Sequence, residues 1–254
     1  MIIIKSPKNK IIKEIRSIIK GRVKNKFIVE GEKVVSNIPK NVNIEAYVLS
    51  KSSHMVYNVN TTGPVYVICD TLMASISDTI TSQGVMAICN RLVHSLDNLP
   101  VAPSYFALML DGIGDPGNMG TILRTAHACG VNFVLTTKGT VDVYNNKVLR
   151  STAGAVFGLP IVEGLSPARA ISFLGERGIC LVSTSVKGEV FHHQSQLDKS
   201  LCLVIGNEAR GVCKEILLHS NQTIKIPMVN MESLNASVAA GILLYEVARQ
   251  KNIF

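Results

Sequence analysis

The chain has 254 residues, of which 47% are hydrophobic and 17% charged. That size and composition suit one large or two small globular domains with a sizeable core, and exclude a fibrous or disordered chain. No apolar run approaches the ~20 residues of a membrane span, and the opening stretch MIIIKSPKNK has no signal-like apolar core, so a cytoplasmic protein is expected.

The net charge of +8 is concentrated at one end. Residues 1–26 hold Lys5, Lys8, Lys10, Lys13, Arg16, Lys20, Arg22, Lys24 and Lys26 against a single acid, Glu14, and the rest of the chain balances. Within this segment Ile11, Ile12, Ile15, Ile18 and Ile19 recur at helical spacing, which predicts a helix with one apolar and one cationic face. Unbalanced like charges point to a polyanionic partner, and nucleic acid fits best. A membrane surface fits less well, because interfacial Trp or Phe is absent from the helix.

KFIVEGEKVVSNI then predicts a strand leading into a helix. EAYVLS, PVYVICD and VMAICN predict strands, and DTLMASIS a helix between the last two. Residues 1–95 thus form a small mixed α/β unit. Residues 96–104 lie in HSLDNLPVAPS, which has two prolines and no periodicity, and are expected to link it to a second unit over 105–254. There YFALMLDGI is a buried strand. A helix follows from about Asn118 to Cys129, with Met119, Ile122, Leu123 and Ala126 on one face and Gly130 as its stop. VNFVLTT, LPIVE, ICLVSTSV, LCLVIGNE and TIKIPM predict further strands. VYNNKVLRSTAGAVF, SPARAISFLGERG and SLNASVAAGILLYEVARQ predict helices. Alternation of this kind gives an α/β fold with a mostly parallel sheet covered on both faces, and ligands of such sheets sit beyond the carboxyl ends of strands.

Six scattered cysteines without a C-x-x-C pair read as buried reduced thiols. His127 reads as helix surface and His192–His193 as loop. Neither has the further ligands zinc needs, so no metal is expected.

Gly112, Gly114 and Gly117 spell G-x-G-x-x-G. A dinucleotide site also needs an acid ending the next strand, to hold the ribose. That strand ends in Thr136, Thr137 and Lys138, and Pro116 pushes the helix start toward Asn118. The glycines therefore serve other chemistry, and a nucleotide-dependent oxidoreductase is disfavoured.

Two further clusters end apolar strands: VIGNEARG, Val204–Gly211, and IPMVNMESLNASVAAGILLYE, Ile226–Glu246. Together DPGNMGTILRTA, GNEARG and IPM…ESLNASVAAGI resemble, in order and over some 150 residues, the three motifs of the SpoU family of RNA ribose methyltransferases in the SPOUT superfamily. The basic N-terminal unit resembles, more loosely, the ribosomal-protein-like RNA substrate-binding domain that many members carry. The resemblance implies a SPOUT domain with a deep trefoil knot, a homodimer, and S-adenosylmethionine as cofactor. It implies methylation of a ribose 2′-hydroxyl, with large-subunit ribosomal RNA the expected substrate. The alternatives are a transfer RNA methyltransferase or a catalytically silent RNA-binding assembly factor.

By resemblance Arg124 is the catalytic arginine, gripping phosphate and ribose through its forked donors. A guanidinium stays protonated in proteins and is a poor general base, and the base is left open. Asn118, Glu208, Ser233 and Asn235 join it at the active site. On local grounds alone Asn118, Ser233 and Asn235 also suit helix caps, Glu208 a helix-start acid and Arg124 a solvent-facing position. The resemblance gives cofactor contacts to Ile205, Ile226, Met228 and Leu234, with Gly206 admitting close backbone approach. The nine basic residues of 1–26 are the expected RNA contacts. Two departures from the family pattern are Ala209, where many members have glycine, and the loop Val229–Met231, one residue short and without its usual glycine.

Overall fold

The computed structural model describes residues 1–54, 63–79 and 81–254, which form two compact units. The first comprises Met1–Leu92 with Tyr144–Phe157, and the second Val93–Val143 with Gly158–Phe254.

In the first unit the chain runs β1 (Ile2–Ile4), α1 (Lys10–Ile19), β2 (Lys26–Glu30), α2 (Glu32–Ser36), β3 (Ile44–Ser50), α3 (Lys51–His54), β4 (Val65–Ile68), α4 (Asp70–Ile76) and β5 (Val85–Asn90). The strands form one sheet in the order β1-β4-β3-β5-β2. β4 pairs in parallel with β1 and β3, and β5 antiparallel with β3 and β2. The side chain of Asn9 caps α1 by accepting from the Ile11 amide at 3.0 Å. The isoleucine stripe packs as its spacing requires. Ile12, Ile15 and Ile18 are buried among Ile28, Val48, Met73 and Ile88, with Ile11 and Ile19 at the rim.

Two features differ from expectation. Ile2–Ile4 is a strand, in parallel register with Tyr66–Ile68. Three residues are too few for a sequence period to register. The segment Tyr144–Phe157, expected within 105–254, groups with the first unit. It contains α6 (Asn146–Thr152) and a short 3₁₀ turn, Ala155–Phe157. The cause is aromatic packing. Phe27 of β2 lies 4.6 Å from the Tyr144 ring and 6.1 Å from that of Phe157. The Arg91 guanidinium sits 4.8 Å from the Tyr144 centroid. The Tyr144 hydroxyl donates to the Leu92 carbonyl and accepts from its amide.

The second unit runs β6 (Phe106–Asp111), α5 (Pro116–Ala128), β7 (Phe133–Thr137), β8 (Ile161–Leu165), α7 (Pro167–Glu176), β9 (Cys180–Thr184), β10 (Val190–Phe191), β11 (Leu201–Gly206), α8 (Lys214–Leu218), β12 (Gln222–Lys225) and α9 (Ala236–Gln250). The sheet order is β10-β12-β9-β11-β6-β7-β8, and every described pairing is parallel. All six residues of β6 are buried, as a strand covered on both faces requires. Ala170, Phe173 and Leu174 of α7 and Ile216 of α8 pack with Ala107, Met109, Phe133 and Val204. Helices α5 and α9 pack on each other. From β6 the chain adds β7 and β8 on one side, then returns to build β9 on the other, and β11 enters between β9 and β6. The carboxyl ends of β6, β9, β11 and β12 meet where the strand order reverses, the position at which open parallel sheets bind ligands.

Candidate active site

The first arm of the site grows from β6. The strand ends in Asp111, and Gly112 then takes a left-handed φ of +70° to turn the chain. The cap of α5 is Asp115, whose Oδ1 accepts from the Asn118 amide at 2.7 Å, with Pro116 in the first helical turn. The helix thus starts before Asn118, and Gly117 lies inside it. Asn118 is not the cap, and its side chain is free for other partners. Its Nδ2 donates to Glu208 Oε1 at 2.8 Å, and its Oδ1 accepts from Asn235 Nδ2 at 3.0 Å.

The second arm is the turn after β11. Backbone bonds in both directions join Asn207 and Gly211, at 3.1 and 2.8 Å. Asn207 Oδ1 also accepts from the amides of Ala209 and Arg210. A Cβ on Gly206 would sit 2.2 Å from Gly211 C and Val212 N. The glycine is therefore demanded by the turn's own backbone, a reason independent of any ligand.

The third arm precedes α9. Asn235 caps that helix, its Oδ1 accepting from the Ser237 amide at 2.9 Å and that of Val238 at 3.4 Å. Ser233 does not cap it. A chain of side-chain bonds, Glu208–Asn118–Asn235, thus ties together three stretches that lie as far as 117 residues apart in sequence.

Beside this chain lies a cleft of about 390 Å³ between the strand ends. Ile205, Gly206, Ile226, Met228 and Leu234 all line it, together with Glu208 and Ser233. Sequence reasoning missed Thr184–Val186 at the end of β9, Leu217, Arg210, Glu232, and Ala239 and Leu243 of α9. The position of Thr184–Val186 at the carboxyl end of an apolar strand was a usable signal. Leu217 belongs to α8, an unforeseen five-residue helix.

Arg124 stands apart. It is exposed on α5, outside the cleft lining, and makes no hydrogen bond or ion pair among the described residues. Six residues of helix carry it about 9 Å along the axis from Asn118 and roughly 240° around it.

The basic segment is not one continuous helix. Only Lys10, Lys13 and Arg16 lie in α1, and Arg16 reaches Ser75 Oγ at 3.4 Å. Lys5, Lys8, Lys20, Arg22 and Lys24 are exposed in flanking loops. Lys26 departs from the expected role. Its ammonium lies 2.7 Å from Glu14 and 2.5 Å from Glu45, and the two carboxylates hold its pKa above the ordinary lysine range.

All six cysteines are free, but Cys69 and Cys180 are exposed where burial was expected, because each sits at the end of a strand rather than within it. Burial pushes the Cys89 thiol up to about 12 and that of Cys129 up to about 11, which leaves both without nucleophilic character at neutral pH. His127 is exposed on α5, and His192 and His193 open a 3₁₀ turn, His192–Gln194. Among the described residues no group of three His, Cys, Asp or Glu is placed to hold a metal, and no helix is long and apolar enough to cross a membrane.

Residues 105–245 match the model of the SpoU rRNA methylase family, and residues 9–87 that of the MRM3-like substrate-binding domain. The chain is 31% identical over 249 residues, 96% of its length and 98% of the relative's, to the 23S rRNA (guanosine(2553)-2′-O)-methyltransferase RlmP of Bacillus subtilis. It is 36% identical over 163 residues, 64% of this chain and 66% of the other, to the 23S rRNA (guanosine-2′-O-)-methyltransferase RlmB of Pectobacterium atrosepticum. Among solved structures, an AdoMet-bound rRNA methyltransferase from Sinorhizobium meliloti superimposes with a TM-score of 0.86 over 97% of both chains at 28% identity. The methyltransferase AviRb of Streptomyces viridochromogenes, in complex with AdoMet, shares the fold with a TM-score of 0.88 over 96% of this chain and 99% of its own at 24% identity. With its three motifs tied together by the bonds of Asn118 to Glu208 and Asn235, and a family model spanning residues 105–245, the chain belongs to the SpoU rRNA methylase family.

Proposed function

We propose that this chain methylates a ribose 2′-hydroxyl of large-subunit ribosomal RNA, using S-adenosylmethionine. The observation that carries the reading is the Glu208–Asn118–Asn235 chain, because it joins one residue from each family motif and its Glu208 end lines the cleft. The full-length likeness to a 23S rRNA 2′-O-methyltransferase supports the substrate class.

The cleft suits the cofactor. Its volume is in the range of small-molecule sites. Leu217, Leu243 and Met228 offer apolar walls for an adenine, and Glu208 and Glu232 offer negative charge to a sulfonium. When bound, the cofactor supplies a methyl group activated by that positive sulfur. Backbone groups around Ile205, Ile226, Met228 and Leu234 hold it, and the Gly206 turn shapes the wall. Arg124, exposed and unpaired among the described residues, grips phosphate and ribose of the target nucleotide. Asn118, Glu208, Ser233 and Asn235 orient the hydroxyl; its oxygen would bond the methyl carbon as the sulfur–methyl bond breaks to leave the neutral thioether, with the hydroxyl proton passing to water. The contribution is positioning in a fixed polar frame, and it uses no metal.

The exposed cations Lys5, Lys8, Lys10, Lys13, Lys20, Arg22 and Lys24 bind the RNA backbone, and Lys26 holds its own unit together. Two copies pair as a homodimer through the outer face of α9. There Val238, Ile242 and Tyr245 repeat at helical spacing and are 51, 37 and 55% exposed. The trefoil knot comes with the family, and the ribosomal substrate places the protein in the cytoplasm.

The test is transfer of labelled methyl from S-adenosylmethionine to separated ribosomal and transfer RNA pools, with Arg124→Ala in parallel. Label in 23S RNA that vanishes in the variant supports the reading. Label confined to transfer RNA replaces the substrate. Cofactor binding without label in any pool, assembled subunits included, favours a silent assembly factor.

A further inference from the structure

One buried acid outside the cleft holds a cleft wall in place. Asp111, the last residue of β6, is 7% exposed, in a strand otherwise made of Phe, Ala, Leu and Met. A carboxylate at such a place is costly unless its oxygens are satisfied. One oxygen accepts from Thr137 Oγ1 at 2.7 Å, and the other from the Cys213 amide, also at 2.7 Å. The next residue, Gly112, accepts at its carbonyl from Asn207 Nδ2 at 2.8 Å. Asn207 and Cys213 are the two stems of the turn that carries Glu208 and Arg210 along the cleft. Both stems therefore hang on two consecutive residues, the last of β6 and the first after it, and the chain from those residues leads directly into the α5 start that presents Asn118. Asp111 does not line the cleft itself.

We propose that Asp111 is a positioning residue for the cofactor, fixing the 207–213 loop in its binding shape through the Cys213 N–H while Thr137 fixes which way the carboxylate faces. The proposal rests on the cofactor reading above. Its chemistry asks for an acceptor aimed at Cys213 and a group able to bond Thr137. Negative charge is not required. An asparagine meets both demands, with Oδ1 accepting from Cys213 and Nδ2 donating to Thr137 Oγ1. An alanine meets neither.

The experiment compares Asp111→Asn with Asp111→Ala in the full chain. S-adenosylmethionine affinity is read by calorimetry, and loop order by hydrogen exchange without cofactor. Affinity falls with the fraction of chains holding the competent loop. Losing one hydrogen bond to a charged group lowers that fraction enough to weaken binding on the order of tenfold in Asp111→Ala, with faster exchange confined to residues 207–213. Asp111→Asn is expected to keep near-parental affinity and exchange. Equal affinity in all three proteins overturns the proposal, as does an asparagine variant as weak as the alanine one. If Asp111→Ala does not fold, Thr137→Val removes only the hydroxyl that orients the carboxylate and must weaken affinity and speed exchange over 207–213, and unchanged values for both also overturn the proposal. If the parental chain binds no S-adenosylmethionine, the functional reading fails, and the exchange data alone decide whether Asp111 anchors the loop.

Discussion

Replacing Asn118 with alanine severs the side-chain chain at its centre while leaving the helix start intact, because the cap bond uses the Asn118 backbone amide and the Asp115 side chain. Two bonds are lost, one to the Glu208 carboxylate at 2.8 Å and one from the Asn235 amide at 3.0 Å. A bond to a charged group is worth about 1.5–3 kcal/mol and a neutral one about 1 when shielded from water. Glu208 and Asn235 are exposed and Asn118 only half-buried, so the net stability cost is held to about 1–2 kcal/mol, and melting falls by at most about 8 °C for a chain of this size. Turnover suffers more. A preorganised polar group lost from a reacting centre typically costs about 10²–10³ in rate. Single-turnover methyl transfer on 23S RNA is the assay, with Asn118→Ala, Glu208→Ala and the double variant forming a cycle. Residues acting as a unit give a double variant little worse than either single one, so their coupling approaches the cost of one single variant, about 3–4 kcal/mol. Multiplicative losses would mean that the Asn118–Glu208 bond does no catalytic work, and the reasoning would be refuted.

Arg124→Ala should leave S-adenosylmethionine affinity within about threefold of the parent, a shift of under ~0.7 kcal/mol, and abolish turnover; a large loss of cofactor affinity contradicts its assignment to the RNA side. Converting Lys8, Lys10 and Lys13 to glutamine should flatten the salt dependence of RNA binding by roughly 0.7–0.9 for each phosphate no longer neutralised. Lys26→Met should leave that slope unchanged while lowering the melting temperature, because Lys26 already serves Glu14 and Glu45. A changed slope would return Lys26 to the RNA face. Gly206→Ala, which forces a Cβ to within 2.2 Å of backbone atoms, should disorder the 206–212 turn and lose cofactor binding, and intact binding on calorimetry would show that the turn can give way. Glu246 is held down to about 2 by the Arg249 guanidinium, with a further bond from Gln250. A depressed acid stabilises the fold above its unfolded pKa and loses that contribution as pH falls from about 4.5 toward 2. Melting followed down that range should drop less steeply in Glu246→Gln than in the parent.

Much of the scaffold was legible because its signals are local. The isoleucines of α1 carry their own period, Ser166-Pro167 starts α7 as its cap chemistry dictates, and the apolar runs of β6, up to its final Asp111, and of β11 announce strands covered on both faces. What escaped notice was short or set by distant partners. Ile2–Ile4 and Val190–Phe191 are strands only because β4 and β12 lie alongside them. Nothing in the sequence of Tyr144–Phe157 says that its aromatic rings close on Phe27.

The site divides along the same line. The family resemblance, rather than composition or periodicity, picked out Ile205, Gly206, Ile226, Met228 and Leu234, all of which line the cleft. Roles that depend on a partner distant in the sequence are not set by local pattern. Asn118 and Asn235 were both eligible as caps on local grounds, since each precedes an apolar helical run. The structure separates them by a competing acceptor: Asp115 stands three residues ahead of Asn118 and takes the cap, while no carboxylate takes it from Asn235. One asparagine is thereby spent on its helix through Oδ1 and keeps only Nδ2 to donate. The other has both ends of its amide free, one for Glu208 and one for Asn235. The central member of the chain is thus fixed by a local rule, the stronger N-cap, whose consequence appears only when three distant segments are brought together.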